Sequence, residues 1–258
     1  SALVPYLSPE EFERFTSGSK VYSSEKHESV FSGRFQFSGL YGKDLFREVA
    51  RYALIASYMA MKYDFDVIHA HDWLTYPAGI AAKGLTGKPL VSHIHATEFD
   101  RAGGVGDDRI HNIEYQGLNA ADRVVSVSQY TASMIMNRYR IDNRKIRVVR
   151  NAYSVSQNVE NEKKRLFKDP LVLFLGRITL QKGPDYFVEV AERVLKRFPK
   201  VRFIMAGTGD MFSRMLKRSA VKRLGDRFLF SGFLNRDQVE RILSATDMFV
   251  MPSVSEPF

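Results

Sequence analysis

The sequence predicts an α/β protein built from two doubly wound parallel-sheet domains. Three observations carry that reading. Short, continuously apolar segments alternate with segments of helical period, the pattern of strands buried on both faces between covering helices. A polar stretch without periodicity divides the alternation into two runs. Glycines, histidines and basic side chains cluster just past the apolar segments, where open parallel sheets receive ligands.

The first 40 residues are irregular, although Ser8-Pro9-Glu10-Glu11 reads as a capped helix start. Helical spacing begins at Lys43 and runs to Met61, with Phe46, Val49, Ala50, Ala53, Leu54 and Ser57 on one side. Its apolar part, Val49 to Met61, is too short to span a bilayer and is interrupted by Arg51, so it reads as a core helix. Asp66–Ala70 follows as a strand, Pro77–Leu85 as a helix, Leu90–His95 as a strand and Asp108–Ala120 as a helix. Arg123–Val127 is a strand, Tyr130–Arg138 a helix and Ile146–Val149 a strand. Asn151 to Asp169 is polar and aperiodic, which places a linker at 156–165 between a domain over 1–155 and one over 166–258.

The second run opens with the strand Leu171–Leu175 and the helix Asp185–Phe198, entered through Pro184 at a first-turn position. Val201–Ala206 and Phe228–Ser231 are strands around the helix Asp210–Arg223. Asn235–Ala245 is a helix whose Asn235 and Gln238 stand at capping-box spacing, and Met248–Met251 is the last strand.

Composition narrows the function classes. With 258 residues, 45% apolar and 26% charged, the chain has the make-up of a globular protein and excludes bulk disorder. It contains no cysteine, which excludes a disulfide scaffold, a thiolate nucleophile and cysteine-ligated zinc, and permits a reducing cytoplasm. The start, Ser1-Ala2-Leu3, lacks the basic and apolar regions of a signal peptide. The net charge of +9 is uneven: residues 1–160 hold 19 basic and 18 acidic side chains, and residues 161–258 hold 19 and 11. The excess of +8 in the second half suits an anionic partner, or else a solvated basic exterior. No nucleic-acid motif accompanies it, and its Lys and Arg are scattered over helices, so nucleic acid is not expected as a partner.

Three constellations sit at strand ends. His69-Ala70-His71-Asp72-Trp73 closes one strand and His93-Ile94-His95 the next. Alternate residues share a face, so on neighbouring strands four imidazoles could converge as a metal site, or stand as hydrogen-bonded strand termini. Gly176-Arg177-Ile178-Thr179-Leu180-Gln181-Lys182-Gly183-Pro184 places two cations on one loop before a helix N-terminus, where they can meet a diphosphate. Ala206-Gly207-Thr208-Gly209-Asp210 repeats the theme and offers backbone N–H groups to a ligand. Glu256, in Ser253-Val254-Ser255-Glu256-Pro257-Phe258, follows a strand on an exposed loop, where it is an ordinary surface glutamate or a carboxylate that accepts hydrogen bonds from sugar hydroxyls.

From about Asp66 to Phe258 these residues resemble a glycosyltransferase of the two-Rossmann-domain GT-B architecture. More narrowly they resemble family 4, with the glycogen and starch synthases and sucrose-metabolising enzymes related to it. The likeness rests on His69–Trp73, Ser92–His95, Ala120–Ser128, Gly176-Arg177…Gln181-Lys182-Gly183, Gly207–Asp210 and Ser255–Phe258. It implies that Arg177 and Lys182 hold the nucleotide diphosphate and neutralise charge on the leaving phosphate. His95 would lie near the transferred sugar, with Asp72 beside it, and Glu256 would contact the donor sugar as the first glutamate of a Glu-x7-Glu motif. Gly176, Gly207 and Gly209 would border the nucleotide. The implied reaction retains anomeric configuration and needs neither cofactor nor divalent metal. It moves a sugar, glucose, from an ADP- or UDP-sugar to a glucan or other saccharide acceptor in the cytoplasm.

The departures are also informative. Residues 1–65 hold no strand and glycine-rich loop of the kind that opens the family, and the second motif glutamate would fall beyond Phe258. Both domains are therefore expected to be incomplete, the chain being an internal portion of a longer enzyme. Two other readings of the same residues are a metal-dependent hydrolase using His69, His71, His93 and His95, and a GT-B chain that binds nucleotide without turnover.

Overall fold

The computed structural model describes residues 45–152 and 166–258. The helix start at Ser8–Glu11 and the linker at 156–165 lie outside the described residues. The chain divides into two compact units, Ser1–His95 with Asn112–Val149, and Ala96–His111 with Arg150–Phe258. Among the described residues each carries a four-stranded, wholly parallel sheet, as the alternating pattern predicts.

The first sheet runs in simple order: β1 (Ile68–His71), β2 (Leu90–Ile94), β3 (Arg123–Ser126) and β4 (Ile146–Val148). Helices α1 (Leu45–Lys62), α2 (Tyr76–Thr86), α4 (Asp108–Ala120) and α5 (Gln129–Tyr139) accompany it, and the short α3 (Glu98–Ala102) follows β2. Strand β1 begins at Ile68 rather than Asp66, and the preceding Asp66 and Val67 are exposed. Tyr76, Leu90, Ile94, Leu118, Val124 and Ile135 are fully buried around this sheet. Helix α4 approaches α2 closely only because residue 117 is glycine: a Cβ there would lie 2.3 Å from the Tyr76 ring.

The second sheet is ordered β7 (Phe228–Gly232), β6 (Arg202–Ala206), β5 (Leu171–Leu175), β8 (Met248–Phe249). Its helices are α6 (Pro184–Arg197), α7 (Phe212–Val221) and α8 (Arg236–Ala245). Phe187, Val188 and Ala191 form the buried face of α6, and Phe187 packs against the rings of Phe174, Phe203 and Phe228. The capping box at Asn235 and Gln238 forms with both bonds at 2.9 Å.

One device serves both sheets. An aspartate just before a strand accepts the amide that opens the neighbouring strand: Asp122 from Leu90 at 2.7 Å, Asp247 from Leu171 at 2.9 Å. Lys83 also donates to Asp122 at 2.8 Å, and these bonds hold the Asp122 carboxyl below its usual pKa, the lysine contributing most. Among the described residues no helix is long and apolar enough to cross a membrane.

Candidate functional site

The order β7-β6-β5-β8 means that the second run starts mid-sheet, builds in one direction, then returns to the other side of β5. The reversal falls between β5 and β8, and ligands of open parallel sheets bind at such a switch, beyond the carboxyl ends of the strands. The loops leaving β5 and β8 carry Gly176–Gly183 and Pro252–Phe258. The structure brings them together: Lys182 Nζ lies 2.7 Å from Glu256 Oε1, across 74 positions of sequence. Ser253 Oγ donates to the same carboxylate oxygen.

Backbone geometry explains the pairing. Leu180–Lys182 is a turn of 3-10 helix ended by Gly183 in the left-handed conformation, φ 64°. Gly183 is pressed on the carbonyl of Pro252, only 2.0 Å from where a Cβ would stand. Val254 N–H then donates to the carbonyl of the buried Gln181 at 2.8 Å. Two cations therefore differ in state. Lys182 is engaged and only 21% exposed, whereas Arg177 is exposed and has no carboxylate at ion-pair distance among the described residues.

Gly207 and Gly209 do a job that the sequence reading does not anticipate. A Cβ at Gly207 would fall 1.9 Å from the Gly176 carbonyl, and one at Gly209 2.3 Å from the Ile178 carbonyl. Ile178 N–H donates to Thr208, Met211 N–H donates to Ile178, and Gly207 N–H donates to Gly232. These glycines let the loops after β5 and β6 lie backbone on backbone, and the Gly207 amide is already used within the protein. Helix α7 accordingly starts at Phe212 rather than Asp210, since the residues before it belong to this lacing.

A further residue escaped sequence reasoning. Asp100, fully buried, accepts from Thr97 N–H at 2.9 Å, Thr97 Oγ1 at 2.7 Å and Ser255 Oγ at 2.6 Å. It thereby anchors the residue next to Glu256 within the second unit. The available signal was Thr97-x-x-Asp100, a capping box at the start of α3. Asp100→Ala leaves those donors without their acceptor and is expected to cost about 2 kcal/mol. That corresponds to a melting-temperature drop of about 4–8 °C, read by calorimetry against wild type.

In the first unit, β1 and β2 pair in the register His71↔His93, so their ends are level. Alternation puts His69 and His71 on one face, and His93 and His95 stack with them at ring separations of 4.3–5.4 Å. His71 Nδ1 and His95 Nε2 are 3.1 Å apart. Asp72 stands in the left-handed region at φ 58°, a conformation that Asp tolerates better than most side chains. Its N–H donates to the His93 carbonyl at 2.8 Å, and its Oδ1 accepts the His95 N–H at 2.8 Å. Asp72 and His95 are therefore brought together, the aspartate fixing the backbone of the histidine.

Desolvation above all, then the neighbouring His95, His71 and His69, pushes His93 down to about 4; His69 and His71, although exposed, shift the same way, partial desolvation of the stacked rings leading. A histidine whose folded pKa is depressed is protonated first in the unfolded chain as pH falls. Stability from this cluster is thus fullest above pH 6.5 and is lost as pH falls toward about 4. In chelator-treated protein, the decline of melting temperature over that window is expected to be shallower for His93→Gln than for wild type. Parallel curves would refute it.

Comparison with known proteins agrees with this architecture. Residues 19–157 match the family described as Glycosyltransferase Family 4, and residues 156–258 match Glycosyl transferases group 1. An uncharacterized glycosyltransferase of Methanocaldococcus jannaschii is 32% identical over 210 residues, covering 75% of this chain and 53% of that protein. Glycogen synthase of Mycobacterium tuberculosis is 26% identical over 75% of this chain and 48% of its own length. The chain thus spans about half the length of these relatives. The structure of Anabaena HepE in complex with UDP and glucose superposes with a TM-score of 0.64 at 17% identity, covering 85% of this chain and 60% of that one. Two parallel-sheet units, the order of their strand-end motifs and these matches establish that the chain belongs to the family 4 group of glycosyltransferases, with the GT-B fold.

Proposed function

We propose that this chain supplies the donor-handling residues of a retaining glycosyltransferase that moves glucose from an ADP- or UDP-sugar to a glucan or other saccharide acceptor. The observation that carries the reading is the Lys182–Glu256 pair at the switch point, with the exposed Arg177 on the same loop as Lys182. Transfer leaves a nucleoside diphosphate whose bridging oxygen gains negative charge as the glycosidic bond breaks. Fixed cations stabilise that charge without reorganising at the moment of reaction. Arg177 can grip two phosphate oxygens with its planar fork, and Lys182 can present a remaining N–H while another holds Glu256. Glu256, fixed by Lys182 and Ser253, is left one oxygen for a sugar hydroxyl. Two such cations fill the role that a divalent ion fills elsewhere, so the donor step is proposed to be metal-independent.

In the first unit, His95 would meet the transferred sugar, with Asp72 holding its backbone. UDP and glucose draw support from the UDP and glucose bound to Anabaena HepE, and a glucan acceptor from the glycogen synthase relative. The absence of cysteine fits work in a reducing cytoplasm.

Calorimetric titration of the chain with ADP and UDP tests the reading, paired with a transfer assay on the complete protein in EDTA. One nucleotide is expected to bind in the micromolar to millimolar range, and its glucose conjugate to be turned over. Failure of both nucleotides to bind overturns the assignment. Binding without turnover of either conjugate would instead make the protein a nucleotide-binding module.

A further inference from the structure

We propose that the first sheet carries a transition-metal site of its own, formed by His69, His71 and His93 and distinct from the residues assigned to the donor. One ring nitrogen from each of the three lies within 4.8 Å of the other two. Ligand nitrogens of a tetrahedral ion with bonds of about 2.1 Å stand about 3.4 Å apart. Rotation of two exposed side chains by about 1 Å at the ring closes the difference. The backbone needs no change, because β-alternation and the His71↔His93 register already set the three rings on one face.

Two independent features point to a ligand here. Both ring nitrogens of His93 are buried and have no hydrogen-bond partner among the described residues. Buried polar atoms are normally satisfied, and an orphaned imidazole beside two others is the arrangement that an ion would complete. The second feature is the 3.1 Å contact between His71 Nδ1 and His95 Nε2. With Nδ1–H donating to His95, His71 keeps its Nε2 lone pair for the ion. A ligating histidine usually has such an outer partner on its other nitrogen, which sets its tautomer and orientation.

The donor set selects the ion. Three imidazoles and an open position suit Zn2+, Ni2+ or Cu2+, while Mg2+ and Ca2+ prefer oxygen ligands. His69 and His71 are exposed, which gives the ion a path of entry. An ion on His71 also acts on His95, so occupancy is expected to depress sugar transfer. That consequence, unlike the site, rests on the transferase reading.

The test is calorimetric titration of ZnCl2 and MgCl2 into the untagged, chelator-stripped chain in a non-coordinating buffer. One Zn2+ per chain is expected, with no heat from Mg2+. His69→Gln and His71→Gln should each weaken Zn2+ at least about tenfold, and His111→Gln should leave it unchanged. The two ligand substitutions are at exposed positions, and circular dichroism checks that the variants fold. Absence of stoichiometric Zn2+ binding, or affinity unchanged in both ligand variants, overturns the site. Unchanged transfer by the complete protein at saturating Zn2+ overturns the inhibitory consequence alone.

Discussion

An Arg177→Ala/Lys182→Ala double variant is expected to lose at least about 10³-fold in kcat with its fold intact. Removing a single preorganised donor from a developing oxyanion typically costs 10²–10³, and two cations on one diphosphate act on the same charge. The two positions should differ in their side effects. Arg177 is exposed and uncommitted to any carboxylate among the described residues, so Arg177→Ala should leave melting temperature within experimental scatter. Lys182→Ala strands Glu256, whose side chain is only 31% exposed, and should lower melting temperature slightly. Pairing Lys182→Ala with Glu256→Gln separates that electrostatic strain from lost transfer: stability should recover while kcat does not. Steady-state kinetics of the complete protein decide the matter, and wild-type turnover in the double variant would refute the donor assignment.

Local signals and long-range ones were legible to different degrees. Helix α4 runs from Asp108 to Ala120 and strand β5 from Leu171 to Leu175, at the bounds that periodicity alone predicts. The box at Asn235 and Gln238 likewise needs only three residues of spacing to be read. Strand order is different, because it depends on which apolar segments pair, and period does not encode pairing. The switch between β5 and β8, and hence the meeting of Lys182 with Glu256, appears only once the sheet is assembled. Asp100 shows the same limit. Its capping motif is local, yet its bond to Ser255 spans 155 positions. Glycine is ambiguous in the other direction: the Gly207-x-Gly209 spacing suits a ligand loop and a close backbone crossing equally, and the crossing is what the geometry records.

Gly183→Ala is expected to be one of the most damaging single substitutions at the site, although no ligand need touch it. At φ 64° an alanine pays about 1 kcal/mol for the left-handed conformation. Its Cβ would also stand 2.0 Å from the Pro252 carbonyl oxygen, a backbone atom that no rotamer change can move aside. The clash must be relieved by pushing the segment after β8 away from the Lys182 turn, which breaks the Val254–Gln181 bond and parts Lys182 from Glu256. Together these terms suggest a loss of about 3 kcal/mol or more, and a melting-temperature drop of about 6–12 °C. Gly84→Ala supplies the contrast. It lies inside α2, exposed, with nothing among the described residues within 4 Å of a new Cβ, and should stabilise by up to about 1 kcal/mol. If the two alanines shift melting temperature alike, the Gly183–Pro252 contact does not hold the loops. If Gly183→Ala melts early but binds nucleotide at wild-type affinity, the contact serves stability and the Lys182–Glu256 pairing is dispensable for binding.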